Sequence, residues 1–263
     1  MRLLLLNGFM LLLVPASMQA GIHTTIPTPF RFGLGNIASV PEYRLSGAQF
    51  ETDWLLSTGG ARLFGMVELQ PYALQISGPI LAGRAGLQQQ GINVAAYHEM
   101  SSQLSYQRTF WQNLRLGVGS QLYHVKINGY GSTWSSSFDI RGDYQLREGL
   151  YLNAAWINIG KADFGENGYP LPVRYIFGLD YVVLDALKLY FEIDKDTRYA
   201  LQTRIAANAD IWGPVGILVG YQSTPDIAAM GLNVSYHKIA FTAAYQYHPD
   251  LGVSQCYGLS FIF

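Results

Sequence analysis

The sequence predicts an all-β protein: a transmembrane antiparallel β-barrel that closes on itself. Three observations support this prediction: a charge-poor composition, a secretory type of N-terminus, and apolar residues that recur at every second position. Of the 263 residues, 49% are apolar and 14% aromatic, while only 13% are charged. Average soluble domains contain about 25% charged residues. The chain is also too apolar to be disordered.

The first 20 residues have the layout of a secretory signal peptide. Arg2 precedes an apolar run from Leu3 to Val14, and small residues follow, so we expect cleavage after Ala16 or Ala20. The run is too short to span a bilayer as a helix, and no later segment approaches the required length. The sequence therefore predicts an exported chain without a helical span.

The cysteine count and the net charge exclude several classes of protein. A single cysteine, Cys256, excludes a disulfide scaffold and a cysteine-rich metal site. The net charge of -1 provides no electrostatic footprint for nucleic acid, so we expect no nucleic-acid partner.

Residues 133–146 show the alternation of a β-strand clearly. Trp134, Phe138 and Ile140 share one face, and polar side chains such as Asp139 occupy the other. Comparable runs cover 113–125, 173–183, 187–194, 201–211, 230–236, 239–247 and 256–263. A soluble β-sandwich would also alternate. Charges of both signs on one face and aromatic residues on the other, strand after strand, favour a membrane barrel.

The connections between these runs also alternate in length, as in outer-membrane barrels. We predict short turns near 111–113, 147–149, 184–186, 212–214 and 236–238, with longer links between them. Eleven strands follow Glu99. Because the total should be even, residues 60–97 supply three strands (61–69, 70–78 and 81–89) or one. The sequence thus predicts about 14 strands, with 12 as the alternative.

The final strand has an apolar, partly aromatic face that resembles the assembly signal of bacterial outer-membrane barrels. Its residues are Tyr257, Leu259, Phe261 and Phe263. This pattern predicts an outer-membrane location, with the lipid and the barrel assembly machinery as partners.

Residues 21–58 lack a clear strand pattern and precede a predicted barrel domain of residues 59–263. Their apolar and aromatic groups predict a luminal plug, with a periplasmic arm as the alternative. The charged residues of this segment should pair with charges of the barrel wall; they are Arg31, Glu42, Arg44, Glu51 and Asp53.

The polar faces of the strands supply the residues predicted to line the lumen. These residues are Glu99, Arg115, Asp139, Arg141, Asp143, Arg174, Asp180, Lys188, Glu192, Arg204 and Asp210. The mixed signs argue against an ion-selective ring. They fit either a salt-bridged interior that only holds the barrel together or a polar passage.

No catalytic, cofactor-binding or metal site is predicted, and we do not expect an enzyme. The five histidines are scattered without metal-ligand spacing. Gly33–Ala38 matches the G-x-G-x-x-A pattern but lacks the strand and helix that a dinucleotide site needs. Cys256 is expected to be a packed neutral thiol.

Several short motifs resemble the PorV/PorQ-type outer-membrane proteins of the FadL-like β-barrel superfamily. They are the glycine-rich stretch 33–38, the hairpin 97–106 with 114–119, the loop 248–252 and the final strand. The Asn-Pro-Ala segment usual after the glycines is not evident in residues 41–57. The resemblance implies fourteen strands and an N-terminal luminal segment.

Two classes of function remain open. The resemblance implies either passage of hydrophobic small molecules or support of type IX-like protein secretion, with a hydrophobic ligand or secretion-system proteins as partners. The alternative is a general small-solute porin, or a structural outer-membrane barrel without transport activity.

Overall fold

The computed structural model describes residues 28–160, 163–164 and 169–263, so the predicted signal peptide lies outside the described residues. Fourteen antiparallel strands form one closed barrel, as predicted. Their bounds are β1 Leu55–Arg62, β2 Tyr72–Ile80, β3 Gly83–Val94, β4 Tyr97–Trp111, β5 Leu114–Ile127, β6 Gly131–Arg147, β7 Leu150–Ile159, β10 Arg174–Leu184, β11 Leu187–Asp196, β12 Gln202–Trp212, β13 Val215–Gln222, β14 Ile227–Tyr236, β15 Ile239–His248 and β16 Gly252–Ile262. The short strands β8 Asp163–Phe164 and β9 Tyr169–Pro170 pair separately.

The barrel closes where β1 pairs with β16, in a register that runs from Leu55 opposite Ile262 to Arg62 opposite Gln255. Every strand pair of the wall is antiparallel. The paired strands follow one another in the chain, except in this closing pair and in the β7–β10 pair, which bypasses β8 and β9. None of the described helices is long and apolar enough to cross a membrane.

The two ends of the barrel differ in their connections. The end where β1 starts and β16 finishes is called the turn end, because two-residue turns join its strands there, including all five predicted short turns. The opposite end is called the loop end and carries the longer links, of which 160–173 is the longest, together with one two-residue turn at 95–96. Short turns characterise the periplasmic side of outer-membrane barrels.

The outer surface is a band of exposed apolar side chains. Phe177 is 60% exposed and Met230 is 62% exposed, while their inward neighbours Gly178 and Ala229 are buried. An apolar outer band on a closed sheet suits hydrocarbon, where every backbone group must find its partner within the protein. The chain is therefore an outer-membrane β-barrel.

The face of β16 predicted as an assembly signal points outward. Tyr257 and Leu259 are exposed on it, and Phe261 is half-exposed. Phe263 follows the strand and exchanges two backbone hydrogen bonds with Trp54, of 2.7 and 3.0 Å.

The predicted positions of the first three strands need correction. The first strand is Leu55–Arg62 rather than 61–69, and a 3-10 turn at Leu63–Gly65 followed by an irregular link occupies most of the predicted range. The second and third strands begin two residues later than predicted. Gly59 and Gly60 have no side chains, so they hide the alternation of β1 in the sequence.

Residues 28–53 precede the first strand, most of them lie inside the barrel, and they are called the luminal segment. Helix α1 is Pro29–Gly33 and helix α2 is Glu42–Leu45. Proline at the first helical position suits α1, because the missing N–H would have no helical partner there. After α1, Gly35 and Asn36 both have positive φ and turn the chain toward α2.

Candidate functional site: a luminal segment and a polar cavity

Helix α1 of the luminal segment packs against one side of the barrel. It contacts β13 to β16 and β1. Apolar residues of the segment form a common core with inward-facing wall residues of β11, β12 and β13. This core consists of Phe30, Leu34, Ile37, Val40 and Leu45 with Tyr190, Ala206 and Leu218. The segment therefore buries these apolar wall residues, and it reaches the other strands through polar side chains.

Glycines on the inner wall allow the backbone of the luminal segment to approach closely. A Cβ at Gly220 would lie 2.3 Å from the carbonyl carbon of Leu34. A Cβ at Gly178 would lie 2.5 Å from the Cβ of Ser39. Contacts this short do not occur between real side chains, so these wall positions are shaped for the segment.

Glu192 on β11 binds the backbone between the two helices. Its Oε2 accepts hydrogen bonds from the N–H groups of Ala38 at 2.8 Å and Ser39 at 2.5 Å. The same carboxylate forms an ion pair with Arg204 on β12. Arg204 also lies 3.0 Å from Asp194 on β11, and Asp194 pairs with Arg174 on β10. This buried cluster joins three strands to the segment.

Arg44 of α2 reaches the wall on the other side of the segment. Its Nη2 donates to Asp143 Oδ1 at 2.9 Å and to Asn153 Oδ1 at 2.7 Å, and its Nη1 lies 3.4 Å from Asp180 Oδ2. The neighbouring Tyr43 is buried. Burial, and then the negative charge of Asp143, raises the pKa of Tyr43 to about 12, so its phenol is protonated at neutral pH.

The expected pairing of five segment charges with the wall is wrong for four of them. Arg31 pairs with Glu42 at 2.7 Å within the segment. Glu51 is exposed, and Asp53 bonds locally to Gln49 and Thr52. Backbone carbonyl groups in irregular structure also need donors, and wall arginines supply them.

Arg84 on β3 is the main donor of this kind. Its Nη1 donates to the carbonyl oxygens of Gln49, Phe50 and Asp53, at 3.1, 3.2 and 2.8 Å. Arg141 on β6 donates to the carbonyl of Ala38 at 3.3 Å. The wall therefore holds the segment largely through its backbone.

The structure brings most of the predicted lumen residues to the inner wall. Asp139, Arg141, Asp143, Arg174, Asp180, Glu192 and Arg204 lie in the networks around the luminal segment. Glu99 is buried and accepts a hydrogen bond from Tyr97 at 2.8 Å, and Arg115 stacks over the ring of Phe50 at 4.7 Å. Lys188 is half-exposed near the turn end, and Asp210 is exposed there, outside the network.

Sequence reasoning did not single out several residues of these networks. Asp194, Asn153 and Asn158 are buried and bonded, and Arg84 holds the segment. Strand alternation places Asp194 and Arg84 inward. Nothing in the sequence shows which backbone groups would need them.

A polar cavity remains between the luminal segment and strands β2 to β6. It has a volume of about 140 Å³. Its lining on β3 runs from Arg84 to Gln90, which is about 20 Å of strand at about 3.3 Å per residue. The inward side chains of the wall that line it are Gln75, Ser77, Arg84, Gln88, Gln90, Ser101, Gln103, Ser105, Gln107, Gln121, Arg141 and Asp143.

The cavity is lined mainly by neutral amides and hydroxyls. On β4 they alternate at period two, from Ser101 through Gln103 and Ser105 to Gln107. The run Gln88-Gln89-Gln90 and this alternation are visible in the sequence, but neutral side chains carry no charge that marks them there as lumen-facing. Strands β11 to β13 thus bind the segment through an apolar core and a buried charged cluster, whereas polar side chains of β2 to β6 face the cavity.

The remaining predicted absences concern metals and nucleophiles. Within the described residues, no group of three or more His, Cys, Asp or Glu side chains is arranged to hold a metal ion. Cys256 is buried on the inner face of β16 and packs with Phe32, Ala61 and Ala244.

Comparisons with solved structures identify similar folds. The Pseudomonas putida toluene transporter TodX matches with a TM-score of 0.61 and 10% identity, over 90% of this chain and 96% of TodX. The CymD monoaromatic hydrocarbon channel matches with a TM-score of 0.62 and 11% identity, over 89% of this chain and 96% of CymD.

A Pseudomonas aeruginosa FadL homologue matches with a TM-score of 0.61 and 10% identity, over 90% of this chain and 98% of the homologue. No family model and no curated protein matches the sequence. At these identities the likeness establishes a FadL-like fold.

Proposed function

We propose that this protein is an outer-membrane channel for small molecules, in which the luminal segment narrows the passage to the polar cavity. The supporting observation is the space that the segment leaves unfilled. Its apolar residues pack against β11 to β13, and a cavity of about 140 Å³ remains between the segment and strands β2 to β6. A segment that served only to fill the barrel would be expected to occupy this space as well.

Two substrate classes follow from different observations. The fold likeness favours small hydrophobic molecules, since TodX is described as a toluene transporter and CymD as a monoaromatic hydrocarbon channel. The amide and hydroxyl lining favours a small polar solute, because buried polar groups are costly to leave without partners.

Conductance in planar bilayers tests the proposed barrier. We expect the intact chain to conduct weakly, and deletion of residues 28–53 to raise single-channel conductance several-fold. The deletion keeps Trp54, whose backbone pairs with Phe263, so the closing strands keep their contacts. Circular dichroism should still show a β-rich protein.

Two outcomes would contradict the proposal. A large steady conductance of the intact chain, unchanged by the deletion, would show that the segment is not a barrier. If both proteins fold but neither conducts nor passes a solute, the structural barrel becomes the better description.

Support of protein secretion stays a prediction from the resemblance. The same holds for the barrel assembly machinery and for secretion-system proteins as partners. Co-purification from cells that carry a type IX-like system would test it.

A further inference from the structure

The amides in the polar cavity are oriented by buried carboxylates. Gln103 Nε2 donates to Asp139 Oδ2 at 2.7 Å, and Gln121 Nε2 donates to the same oxygen at 2.7 Å. Gln107 Nε2 donates in the same way to Asp143 Oδ2. An ionised carboxylate only accepts hydrogen bonds, so each amide must turn its NH₂ group toward it.

This orientation determines what the cavity offers to a solute. Each of Gln103 and Gln107 uses one N–H group in this way, and within the described residues its carbonyl oxygen forms no hydrogen bond. They lie on the same face of β4, with Ser105 between them, and both line the cavity. A row of fixed amides, each with a carbonyl acceptor and a second N–H donor, is complementary to a molecule with several hydroxyl groups.

Charges of both signs surround the cavity. Arg31, Arg84 and Arg141 line it together with Glu42 and Asp143, and the buried Asp139 is bonded to Gln103 of the lining. Arg31 pairs with Glu42, and Asp143 pairs with Arg44. A charged solute would therefore find no large excess of opposite charge. Arg141 makes one hydrogen bond, to Ala38, and its other N–H groups can donate to a solute oxygen.

An apolar solute fits this lining poorly. The inward positions of β2 to β6 that line the cavity carry amides, hydroxyls, charges or glycine. A hydrocarbon would displace water from the oriented carbonyl oxygens without replacing its hydrogen bonds, which is unfavourable.

We infer that the polar cavity takes small neutral solutes rich in hydroxyl groups, of the polyol or small-sugar class. This inference rests on the proposed channel function and names its substrate class. The acceptors of Gln103 and Gln107 bind solute hydroxyls, and Arg141 donates to their oxygens. Because the row follows β4 along the barrel, a solute can exchange one acceptor for the next as it moves.

Osmotic swelling of liposomes that contain the full chain tests the inference. The two probes are erythritol, a polyol, and diethylene glycol dimethyl ether, which is similar in size but has no O–H group. After subtraction of the rates in protein-free liposomes, we expect erythritol to enter about tenfold faster than the ether. This is the factor expected when erythritol forms about two more hydrogen bonds with the lining than the ether does.

Matched substitutions connect this preference to the cavity. The Gln103→Leu and Gln107→Leu double variant should lose most of the preference for erythritol. The control is Gln89→Leu, which makes the same change at an outward-facing position of β3. The control variant should keep the preference. A shift in electrophoretic mobility on heating (heat modifiability) verifies that the barrel of each variant is folded.

The outcomes separate this inference from the proposed function. If the ether enters as fast as erythritol or faster, or if the double variant keeps the preference, the inference is wrong while the channel stands. If neither probe enters, even with the Arg44→Ala variant that loosens the segment, the channel function itself fails.

Discussion

Arg44 and Asp143 link the luminal segment to the barrel wall across 2.9 Å, and both side chains are largely buried. Asp180 lies on the same guanidinium at 3.4 Å. One cation thus compensates two wall carboxylates on β6 and β10. Removing it would leave two buried charges without their counterion, so the link tests how firmly the segment is held.

The Arg44→Ala variant should lose about 3–5 kcal/mol of unfolding free energy, which is typical when one partner of a buried ion pair is removed. Urea unfolding in lipid vesicles measures this loss. Glu51→Ala, an exposed change on the same segment, is the control and should be near neutral. Equal stability of Arg44→Ala and the control would show that the pair does not hold the segment.

The Gly220→Ala variant should lose about 1–3 kcal/mol, because overpacking in a close contact has a cost of this size. The added Cβ would meet the backbone of Leu34 at 2.3 Å. We also expect higher conductance, since the segment must shift. Gly60→Ala is the matched control, because the nearest atom to its Cβ is 3.8 Å away. Similar effects in the two variants would argue against the close approach.

The Phe177→Arg variant should be less stable by roughly 2–4 kcal/mol if this position lies near the bilayer midplane. Phe177 is exposed on the outer face of β10. Phe177→Leu should have a much smaller effect, because the side chain stays apolar. Gln88→Arg, in the hydrated cavity, should also be milder. A penalty for Gln88→Arg as large as that for Phe177→Arg would reject the assignment of inner and outer faces.

The Phe263→Ala variant should reduce the amount of protein in the outer membrane without reducing export. The change keeps the two backbone hydrogen bonds with Trp54 and removes only the aromatic side chain. Membrane fractionation and immunoblotting measure both quantities, and Phe263→Tyr is the control. Normal outer-membrane levels of Phe263→Ala would remove the basis for an assembly signal.

Much of the barrel follows from alternation alone. From Tyr97 onward, the predicted faces agree with the structure, because one face of each strand meets lipid and the other meets the interior. The alternation fails at β1, where Gly59 and Gly60 interrupt it, and Trp54 lies across Gly78 on the outer side. At this place the packing of Trp54, just before β1, on Gly78 of β2 covers the outer surface, and such a contact cannot be recognised from the alternation within a single strand.

The luminal contacts were less predictable for a physical reason. Glu192 and Arg84 bind backbone groups of the segment, and every residue has such groups whatever its type. The sequence shows that a wall charge points inward but not which N–H or carbonyl group it meets. Among the described charges of the segment, only Arg44 pairs with wall carboxylates in the way that charge matching suggests.

Helix α1 precedes the first strand, yet it packs against the last four strands. Gln246 donates to the carbonyl of Phe32 at 2.8 Å across 214 positions of the chain. Contacts between such distant positions form late, because the intervening chain must first be ordered. Helix α1, which precedes every strand of the barrel in the chain, is therefore the last to find its place. Until β13 to β16 are in position, Phe30 and Leu34 lack the wall contacts that bury them.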